Sequence, residues 1–418
     1  MFKAKLVAFF CLTALLAGGS GACGFLEEGP LVRMWSQTPE ILPYVDRFNT
    51  IQNKYKIEVS YVPSPAEELL PSQSVPDLIL SERLSAPHCA AKLENLAPLL
   101  NGNGLDEKQF YRELYLLHQY QNATVVLPFS FRLPVVVFRA SAFPKGAPHR
   151  LSLDALKTAG REYTIIRRSI PYTLGFSPLW NPDFLFDSAE LFGVDFHSEP
   201  GRTLAWRDKE LQGWLNFLSG WCETTNGGFT EESDFVRKYL YAAPYQLIQT
   251  GIPQPKKKEA YRISFYRSLA GDFLSIPKQK RENLGLAWLS ENGKIAVDDG
   301  ILFFGVPRGA RNRGGAYEFV KWALSPAAQK LIIEENASKN PLSFGVAGGF
   351  SSLKEVNEEE LPARWPLLKG RIPGEQELSF PGPLPENWQK LKSETVLPWV
   401  YARLSHATGL APLSEVIK

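Results

Sequence analysis

The order strand, helix, strand within residues 31–62 constrains the fold more than any other feature of this sequence. Residues 31–35, apolar except for Arg33, are typical of a buried strand, and residues 57–61 alternate in polarity as in a second strand. Between the two, Thr38 fits the N-cap of a helix and Pro39 its first position. Such a βαβ unit requires a parallel sheet covered by helices, so we expect an α/β fold.

The ends of the predicted strands mark where a ligand is expected to bind. Residues 76–80 supply a further short buried strand beside the βαβ unit. In an open parallel sheet, ligands bind beyond the carboxyl ends of the strands. This rule predicts ligand contacts from Trp35, Ser36, Gln37, Ser81 and Glu82. A core position for Trp35 and a surface loop for Glu82 fit the sequence as well.

The length and proline pattern of the chain predict two lobes. Its 418 residues, 44% of them hydrophobic, suffice for two cores of ordinary size. Pro128 and Pro134 interrupt a strand-rich stretch, and proline is poorly tolerated in central strands. Residues 128–134 are therefore predicted to cross between the lobes, and this crossing adds three candidates for ligand contact, Phe129, Ser130 and Arg132.

A second lobe is predicted after the crossing, because residues 151–250 have a mainly helical pattern. We assign residues 31–128 and 290–326 to lobe 1, and residues 129–289 and 327–418 to lobe 2. From lobe 2 we expect five residues at the ligand, Trp180, Asn181, Asp183, Tyr266 and Arg267. Trp180 lies among turn residues, which favours a stacking platform over packing in the core.

The first residues have the pattern of an export signal. Lys3 and Lys5 precede an apolar run at 6–16, which is too short to span a bilayer, and small residues follow it. We predict a signal peptide at 1–22 and a tether at 23–30.

The end of this signal, Ser20-Gly21-Ala22-Cys23, resembles a lipobox, in which the cysteine is acylated and becomes the mature N-terminus. Ser20 stands where a lipobox usually has leucine, and cleavage after Ala22 by an ordinary signal peptidase would leave Cys23 as a thiol. The expectation is an exported protein, held at a membrane by lipid on Cys23 and facing the periplasm or the cell exterior.

The charge balance argues against nucleic acid as a partner. Removing residues 1–22 takes away two of the 46 basic residues and none of the 44 acidic ones, which leaves 44 of each. Nucleic-acid-binding proteins normally carry a basic face. The one basic run, Lys256-Lys257-Lys258, is typical of a solvated loop.

Neither the cysteines nor the histidines form a chemical site. We expect Cys89 and Cys222 to be buried and unpaired in different lobes, with a single bridge between them as the alternative. The five histidines lack metal-binding or catalytic spacing. Ser177 follows Gly175 by two residues but lacks the second glycine of a nucleophile elbow. We therefore expect no catalytic set, no metal and no cofactor.

Several segments together resemble the extracellular solute-binding proteins of the sugar-importer type. The opening strand and helix, the segment Pro76-Asp77-Leu78-Ile79, residues 93–99 and the stretch at 124–138 are each similar to that family. Its strand, basic turn and helix pair match Gly305, Val306, Pro307, Arg308, Gly309, Asn312, Ala316, Phe319, Trp322, Leu324, Ser325, Pro326 and Gln329. The resemblance extends over nearly the whole mature chain.

This resemblance implies a fold and a mode of action. The fold is of the two-lobe, periplasmic-binding-protein type (type II), in which each lobe is an open, mostly parallel sheet flanked by helices. A small solute binds in the cleft between the lobes, the lobes close by a hinge, and the closed form presents the solute to the membrane permease of an ABC importer. Carbohydrate is the favoured ligand.

Two departures from the family pattern bear on the ligand. Arg139 and Ala140 stand where the family usually has tyrosine and asparagine, and residues 261–273 replace the Gly-x-Ala-Ala-Met stretch of sugar binders. A peptide, a polyol or a phosphodiester fits almost as well. An anionic ligand is compatible with the sequence, because Arg132 and Arg267 carry the charge to bind one.

Two other functions fit the same sequence. A sensory or adhesive binding lipoprotein would share the fold and serve no transporter. A secreted enzyme acting on glycans would need a paired acid and base within reach of one another.

Overall fold

The computed structural model describes residues 29–72, 74–100, 104–241, 263–339 and 343–417. In chain order its strands are β1 (Leu31–Ser36), β2 (Lys56–Tyr61), β3 (Leu78–Ser81), β4 (Val126–Phe131), β5 (Pro134–Arg139), β6 (Arg150–Ser152), β7 (Ile165–Arg167), β8 (Ile170–Thr173), β9 (His197–Glu199), β10 (Arg202–Ala205), β11 (Phe265–Leu269), β12 (Leu284–Glu291), β13 (Lys294–Ala296), β14 (Leu302–Gly305), β15 (Phe350–Ser351) and β16 (Leu378–Ser379).

The α-helices of these residues are α1 (Leu42–Ile51), α2 (Pro65–Leu69), α3 (Pro87–Ala90), α4 (Arg112–Leu117), α5 (Leu153–Glu162), α6 (Asp183–Leu191), α7 (Asp208–Thr225), α8 (Phe229–Val236), α9 (Ala270–Ser275), α10 (Lys278–Arg281), α11 (Arg313–Ala323), α12 (Pro326–Lys339), α13 (Leu361–Arg364), α14 (Trp388–Leu391), α15 (Leu397–Leu404) and α16 (Leu413–Val416). Short 3-10 turns lie at Pro39–Ile41, Ala97–Leu99, Glu107–Gln109, Ala140–Ala142, Pro366–Leu368 and Glu375–Glu377. Single π-type turns lie at Arg237–Tyr241, Val356–Glu360 and Lys392–Val396.

Two six-stranded sheets form the centres of the two lobes. The first has the order β15-β4-β14-β3-β1-β2, and the second the order β11-β5-β12-β13-β16, with β6 paired to β12. In the first sheet β1 is parallel to β2 and β3, whereas β14 is antiparallel to β3 and β4. In the second, β12 is antiparallel to β5 and β13 and parallel to β6.

The two-lobe α/β fold is therefore confirmed, but the expectation of mostly parallel sheets is wrong, because both sheets are mixed. The reason lies in the path of the chain. β14 arrives from the other lobe and enters the first sheet at the edge where β1, β3 and β4 end. It must therefore run against their direction.

The chain crosses between the sheets three times within the described residues. Arg132 and Leu133 join β4 to β5, residues 297–301 join β13 to β14, and residues 352–377 join β15 to β16. The predicted lobe boundaries differ from the structure at four places. All of β4 lies in the first sheet, β13 lies in the second, β15 lies in the first, and α12 packs on α1 of the first lobe.

Pro128 lies inside β4 and not in the crossing, which corrects the prediction from the sequence. Leu302 of β14 is opposite Ser130, whereas the next residue, Phe303, is opposite Pro128, so the register shifts at Phe129. A bulge of this kind accommodates proline, because its missing N–H falls where the ladder is already interrupted. The crossing is consequently shorter than predicted.

The first helix packs as its sequence pattern predicts. Pro39 opens a 3-10 turn after Thr38, whose backbone is extended, and α1 continues from that turn. Tyr44 and Phe48 are buried on one face of α1. The ring of Phe48 meets that of Phe319 edge-on, with the centroids 5.2 Å apart.

A buried carboxylate holds a turn of lobe 2 in place. Glu232 of α8 is fully buried and accepts hydrogen bonds from the Ser177 hydroxyl, from the Asn226 amide at 2.9 Å and from the Leu179 N–H at 3.3 Å. Burial raises the pKa of Glu232 above its ordinary value despite these hydrogen bonds. Ser177 is thus a structural residue of the turn.

Cys89 and Cys222 are free and buried, one in α3 of the first lobe and the other in α7 of the second, as predicted. Among the described residues, no group of three or more His, Cys, Asp or Glu side chains could hold a metal ion, and no helix is long and apolar enough to cross a membrane. Cys23 and the predicted signal peptide lie outside the described residues.

Candidate functional site

The carboxyl ends of three strands of the first lobe open onto one cavity between the lobes. Gln37, Glu82 and Arg132 directly follow β1, β3 and β4, which run in the same direction. The cavity has a volume of about 280 Å³ and is lined by Gln37, Thr38, Glu40, Glu82, Ser130, Arg132, Leu269, Asp272, Gly300, Leu302, Ala347 and Gly348. Leu269 and Asp272 belong to the second lobe, and we call this cavity the cleft.

Gln37 has one orientation because of its neighbours. Its Oε1 accepts hydrogen bonds from the Ser81 hydroxyl at 2.5 Å and from the Glu82 N–H at 2.9 Å. A backbone N–H can bond only to the oxygen of the amide, so the geometry determines which way the amide lies. Its NH₂ group makes no hydrogen bond within the described residues and can donate one to a ligand.

Arg132 is occupied by two carboxylates. Its Nη2 lies 2.8 Å from Oδ1 of Asp298 and 3.3 Å from Oε1 of Glu82, and its Nε donates to Asp298 at 3.0 Å. Gly300 makes room for this arrangement, since a Cβ there would lie 1.4 Å from Nη2. Burial raises the pKa of Glu82, and the charges of Arg83 and Arg132 oppose that rise. Arg132 therefore has its charge matched before any ligand arrives.

The charge of Arg267 is also neutralised by carboxylates of the protein. Contrary to the prediction, Arg267 does not line the cleft. Its side chain is only 4% exposed, and its Nε donates to Asp187 at 2.8 Å while its Nη2 donates to Asp298 at 2.7 Å. Burial would lower the pKa of Arg267, but these carboxylates raise it well above its ordinary value. With both Arg132 and Arg267 paired, the structure disfavours the anionic ligand that the sequence left open.

Asp299 anchors the second crossing, because it binds side chains from both lobes. Its carboxylate accepts hydrogen bonds from Trp388 Nε1 at 2.7 Å and from Lys392 Nζ at 2.9 Å, and lies 3.2 Å from Arg83 Nη2. Burial would raise the pKa of Asp299, but the charges of Lys392 and Arg83 hold it well below its ordinary value. Asp298 and Asp299 were not predicted as functional, although two consecutive acids before a buried strand are a visible signal.

Four of the residues predicted for the first lobe and crossing lie behind the cleft wall. Ser36 is 1% exposed and its hydroxyl donates to the Thr38 carbonyl, so it shapes the turn. Trp35 is half-buried against the core, and Ser81 supports Gln37. Phe129 is fully buried between Tyr44 and other core rings, because strand alternation turns it away from the face that Ser130 occupies.

The predicted residues of the second lobe lie outside the cleft. Trp180 is 6% exposed and packs near Phe235, so it is a core residue and not a stacking platform. Asn181 accepts a hydrogen bond from the Asp183 N–H at the start of α6, and Asp183 pairs with Lys392. Tyr266 is 7% exposed, and burial raises its pKa.

Eight of the twelve lining residues were not predicted from the sequence, and three of these eight, Thr38, Glu40 and Asp272, have polar side chains. Thr38 and Glu40 follow β1 in the turn that opens α1, where their capping pattern drew attention to the helix alone. Asp272 lies in the first turn of α9, within the stretch where the sequence departs from the family pattern.

His118 is a buried histidine close to Arg83, and its burial predicts that the fold loses stability in acid. Its Nδ1 lies 2.8 Å from the Ser85 hydroxyl, and its ring packs on Phe303 with the centroids 4.5 Å apart. Burial and the charge of Arg83 lower its pKa from the ordinary 6.5 to about 3. The unfolded chain binds a proton below pH 6.5 that the folded chain rejects, so this contribution to stability is present above pH 6.5 and is lost towards pH 3.

We expect this residue to lower the free energy of unfolding by about 1.4 kcal/mol for each pH unit below 6.5. Urea denaturation at several pH values from about 4 to 7 measures the slope. The variant His118→Gln should have a flatter profile, because glutamine does not titrate. The exposed His406→Gln is the control and should keep the wild-type slope. Equal slopes in all three proteins would contradict the assignment.

The fold and the cleft define a class of protein: a two-lobe α/β binding protein with a polar cavity between sheets that three crossings join. The sequence pattern of the family described as bacterial extracellular solute-binding protein matches residues 35–330. The chain belongs to this family, which confirms the predicted resemblance, and it is accordingly an exported protein.

Solved structures share the fold across both chains. The sugar-binding protein MalE from Xanthomonas citri has a TM-score of 0.66 at 13% identity, over 93% of this chain and 96% of that one. The cyclic α-maltosyl-1,6-maltose binding protein from Arthrobacter globiformis has a TM-score of 0.62 at 16% identity, over 93% and 96%. An ABC transporter solute-binding protein from Thermotoga lettingae, bound with α-D-tagatose, has a TM-score of 0.60 at 14% identity, over 93% and 97%. A comparison with curated protein sequences gives no match.

Proposed function

We propose that this protein is the substrate-binding subunit of an ABC importer and that it captures a small carbohydrate in the cleft. The observation that carries the proposal is the cleft itself, where polar side chains at three strand ends face Leu269 and Asp272 of the other lobe. Concave sites with a few fixed polar groups, at the carboxyl ends of strands, are typical of small-molecule binding. The names of the three structural neighbours, two sugar-binding proteins and one protein bound with tagatose, support carbohydrate as the ligand class.

Hinge closure is the mechanism that the crossings support. Arg132 lies on the first crossing and Asp298 on the second, and their ion pair at 2.8 Å couples the two segments. A ligand that contacts both lobes gains contacts only when they approach, so it shifts the equilibrium towards the closed form. The permease would then recognise the closed form. Lipid on Cys23, which would hold the protein at the outer face of a membrane, belongs to the same proposal.

A thermal-shift screen of the chain from residue 24 onward against sugars and polyols tests the proposal. A ligand at 100 times its Kd should stabilise the fold by about 2.7 kcal/mol. The hydroxyl of Ser130 has no partner within the described residues, so Ser130→Ala should fold normally and bind about tenfold more weakly. The exposed Ser393→Ala is the matched control.

Failure of every sugar and polyol to stabilise the folded protein would overturn the carbohydrate proposal. Binding without ligand uptake in cells that carry the gene would favour the sensory or adhesive alternative over transport.

A further inference from the structure

The cleft has an excess of negative charge and no aromatic side chain. Its lining contains three carboxylates, Glu40, Glu82 and Asp272, and one arginine, Arg132, for a formal charge of −2. No Trp, Tyr or Phe is among the lining residues, so within the described part of the chain a ligand meets no stacking platform there. Recognition in this cleft therefore depends on hydrogen bonds and charge.

Two carboxylates of the cleft are available to a ligand, because Arg132 is already paired with other carboxylates. Arg132 is held by Asp298 and Glu82, and within the described residues neither Glu40 nor Asp272 forms an ion pair of its own. Glu40 accepts one hydrogen bond, from the Thr38 hydroxyl. Asp272 makes no ion pair or side-chain hydrogen bond within the described residues; burial raises its pKa, and the charges of Arg267 and Arg132 oppose that rise. Both carboxylates can therefore accept hydrogen bonds from a ligand.

The two free carboxylates belong to opposite lobes. Glu40 lies in the turn after β1 of the first lobe, and Asp272 lies in α9 after β11 of the second. Both line the same cavity, and displacement of water from it on closure would strengthen the repulsion between the two like charges. A positively charged group of a ligand between Glu40 and Asp272 would be attracted to both carboxylates, so such a ligand favours closure.

Neutral polar groups complete the site. Ser130 is 2% exposed, and its hydroxyl has no hydrogen-bond partner in the described residues although its side chain lines the cleft. Within the described residues the NH₂ group of Gln37 is also without a partner, because only its oxygen accepts hydrogen bonds. A hydroxyl and an amide are the groups that hold sugar hydroxyls, and they point to a polyhydroxylated ligand that also carries the positive charge.

We propose that the solute is a saccharide with a primary ammonium group, bound with the ammonium between Glu40 and Asp272 and with hydroxyls on Ser130 and Gln37. The inference rests on the proposed function and narrows its ligand class. A neutral sugar lacks the charge, and an acidic sugar meets a cleft whose arginine is already paired.

Calorimetric titration with three matched disaccharides tests the inference. The β-1,4-linked dimer of glucosamine, its N,N'-diacetyl form and cellobiose differ only in the group at carbon 2, which is ammonium, acetamide or hydroxyl. The glucosamine dimer should bind at least tenfold more tightly than the other two at a pH where its amines are protonated. Asp272→Asn and Glu40→Gln should each remove most of that preference. The exposed Glu415→Gln should leave it unchanged.

The outcomes separate this inference from the proposed function. Equal or tighter binding of cellobiose or of the diacetyl sugar would overturn the ammonium assignment and leave carbohydrate binding in place. Tighter binding of spermidine than of the glucosamine dimer would overturn the saccharide assignment. Recognition of a positively charged ligand would still stand. Absence of binding by all three disaccharides would overturn the inference, and the wider sugar and polyol screen would then decide the proposed function.

Discussion

Replacing Arg267 by methionine is expected to lower the free energy of unfolding by about 3–5 kcal/mol. Methionine keeps much of the side-chain length but leaves Asp187 and Asp298 buried without their shared cation. Both carboxylates are less than 8% exposed, so water cannot replace the lost partner. Urea denaturation followed by tryptophan fluorescence measures the loss.

The control is Arg237→Met, whose guanidinium is 78% exposed and pairs with Asp234 at the surface. Surface ion pairs contribute little, so we expect a change within about 0.5 kcal/mol. An equal effect of the two substitutions would show that the buried network does not stabilise the fold.

The effect of Arg267→Met should depend on pH in a defined direction. Burial already raises the pKa of Asp187 to about 7 with Arg267 beside it, and loss of the cation raises it further. A carboxyl with a raised pKa is compatible with folding while it is protonated and destabilises the fold as pH rises through that pKa. The difference between the variant and the wild type should therefore be smaller in acid and widen above neutrality.

Replacing Glu232 by alanine should cost about 3–5 kcal/mol of unfolding free energy. The substitution leaves the Ser177 hydroxyl, the Asn226 amide and the Leu179 N–H without their acceptor, and it opens a void in the second lobe. Glu232→Gln should cost less, because its remaining oxygen can still accept from Ser177. Chemical denaturation of both variants measures these losses.

Asp234→Ala lies on the same helix, where its carboxylate is 62% exposed, and should change stability by less than about 0.5 kcal/mol. A loss for Glu232→Ala no greater than for Asp234→Ala would contradict the assigned role of Glu232 in holding the turn.

Part of the cleft could be predicted because parallel strands end together. Gln37, Glu82 and Arg132 are far apart in sequence, yet each directly follows a strand of the same direction, and the rule for open sheets places such residues at one edge. That rule needs only the strand positions, which hydrophobic runs indicate. Ser130 was found as well, because it lies next to the crossing.

The remaining site residues depend on contacts that local sequence does not contain. The register shift at Phe129 arises where β4 pairs with β14, a strand far away in sequence, so it could not be read from the sequence around Pro128. The sequence places Trp180 in a turn, but Glu232 of the later helix α8 accepts a hydrogen bond from the Leu179 N–H and holds that turn in the core. Asp298 could not be linked to Arg267 before the second crossing was known.

The position of β14 has a consequence for biosynthesis. This strand joins β3 to β4 in the first sheet, although the ribosome makes it only after most of the second lobe. Pairing between such distant segments is slow to form. The nascent chain thus stays without a finished first lobe until late in translation, a delay that suits a protein which must pass through a membrane translocon before it folds.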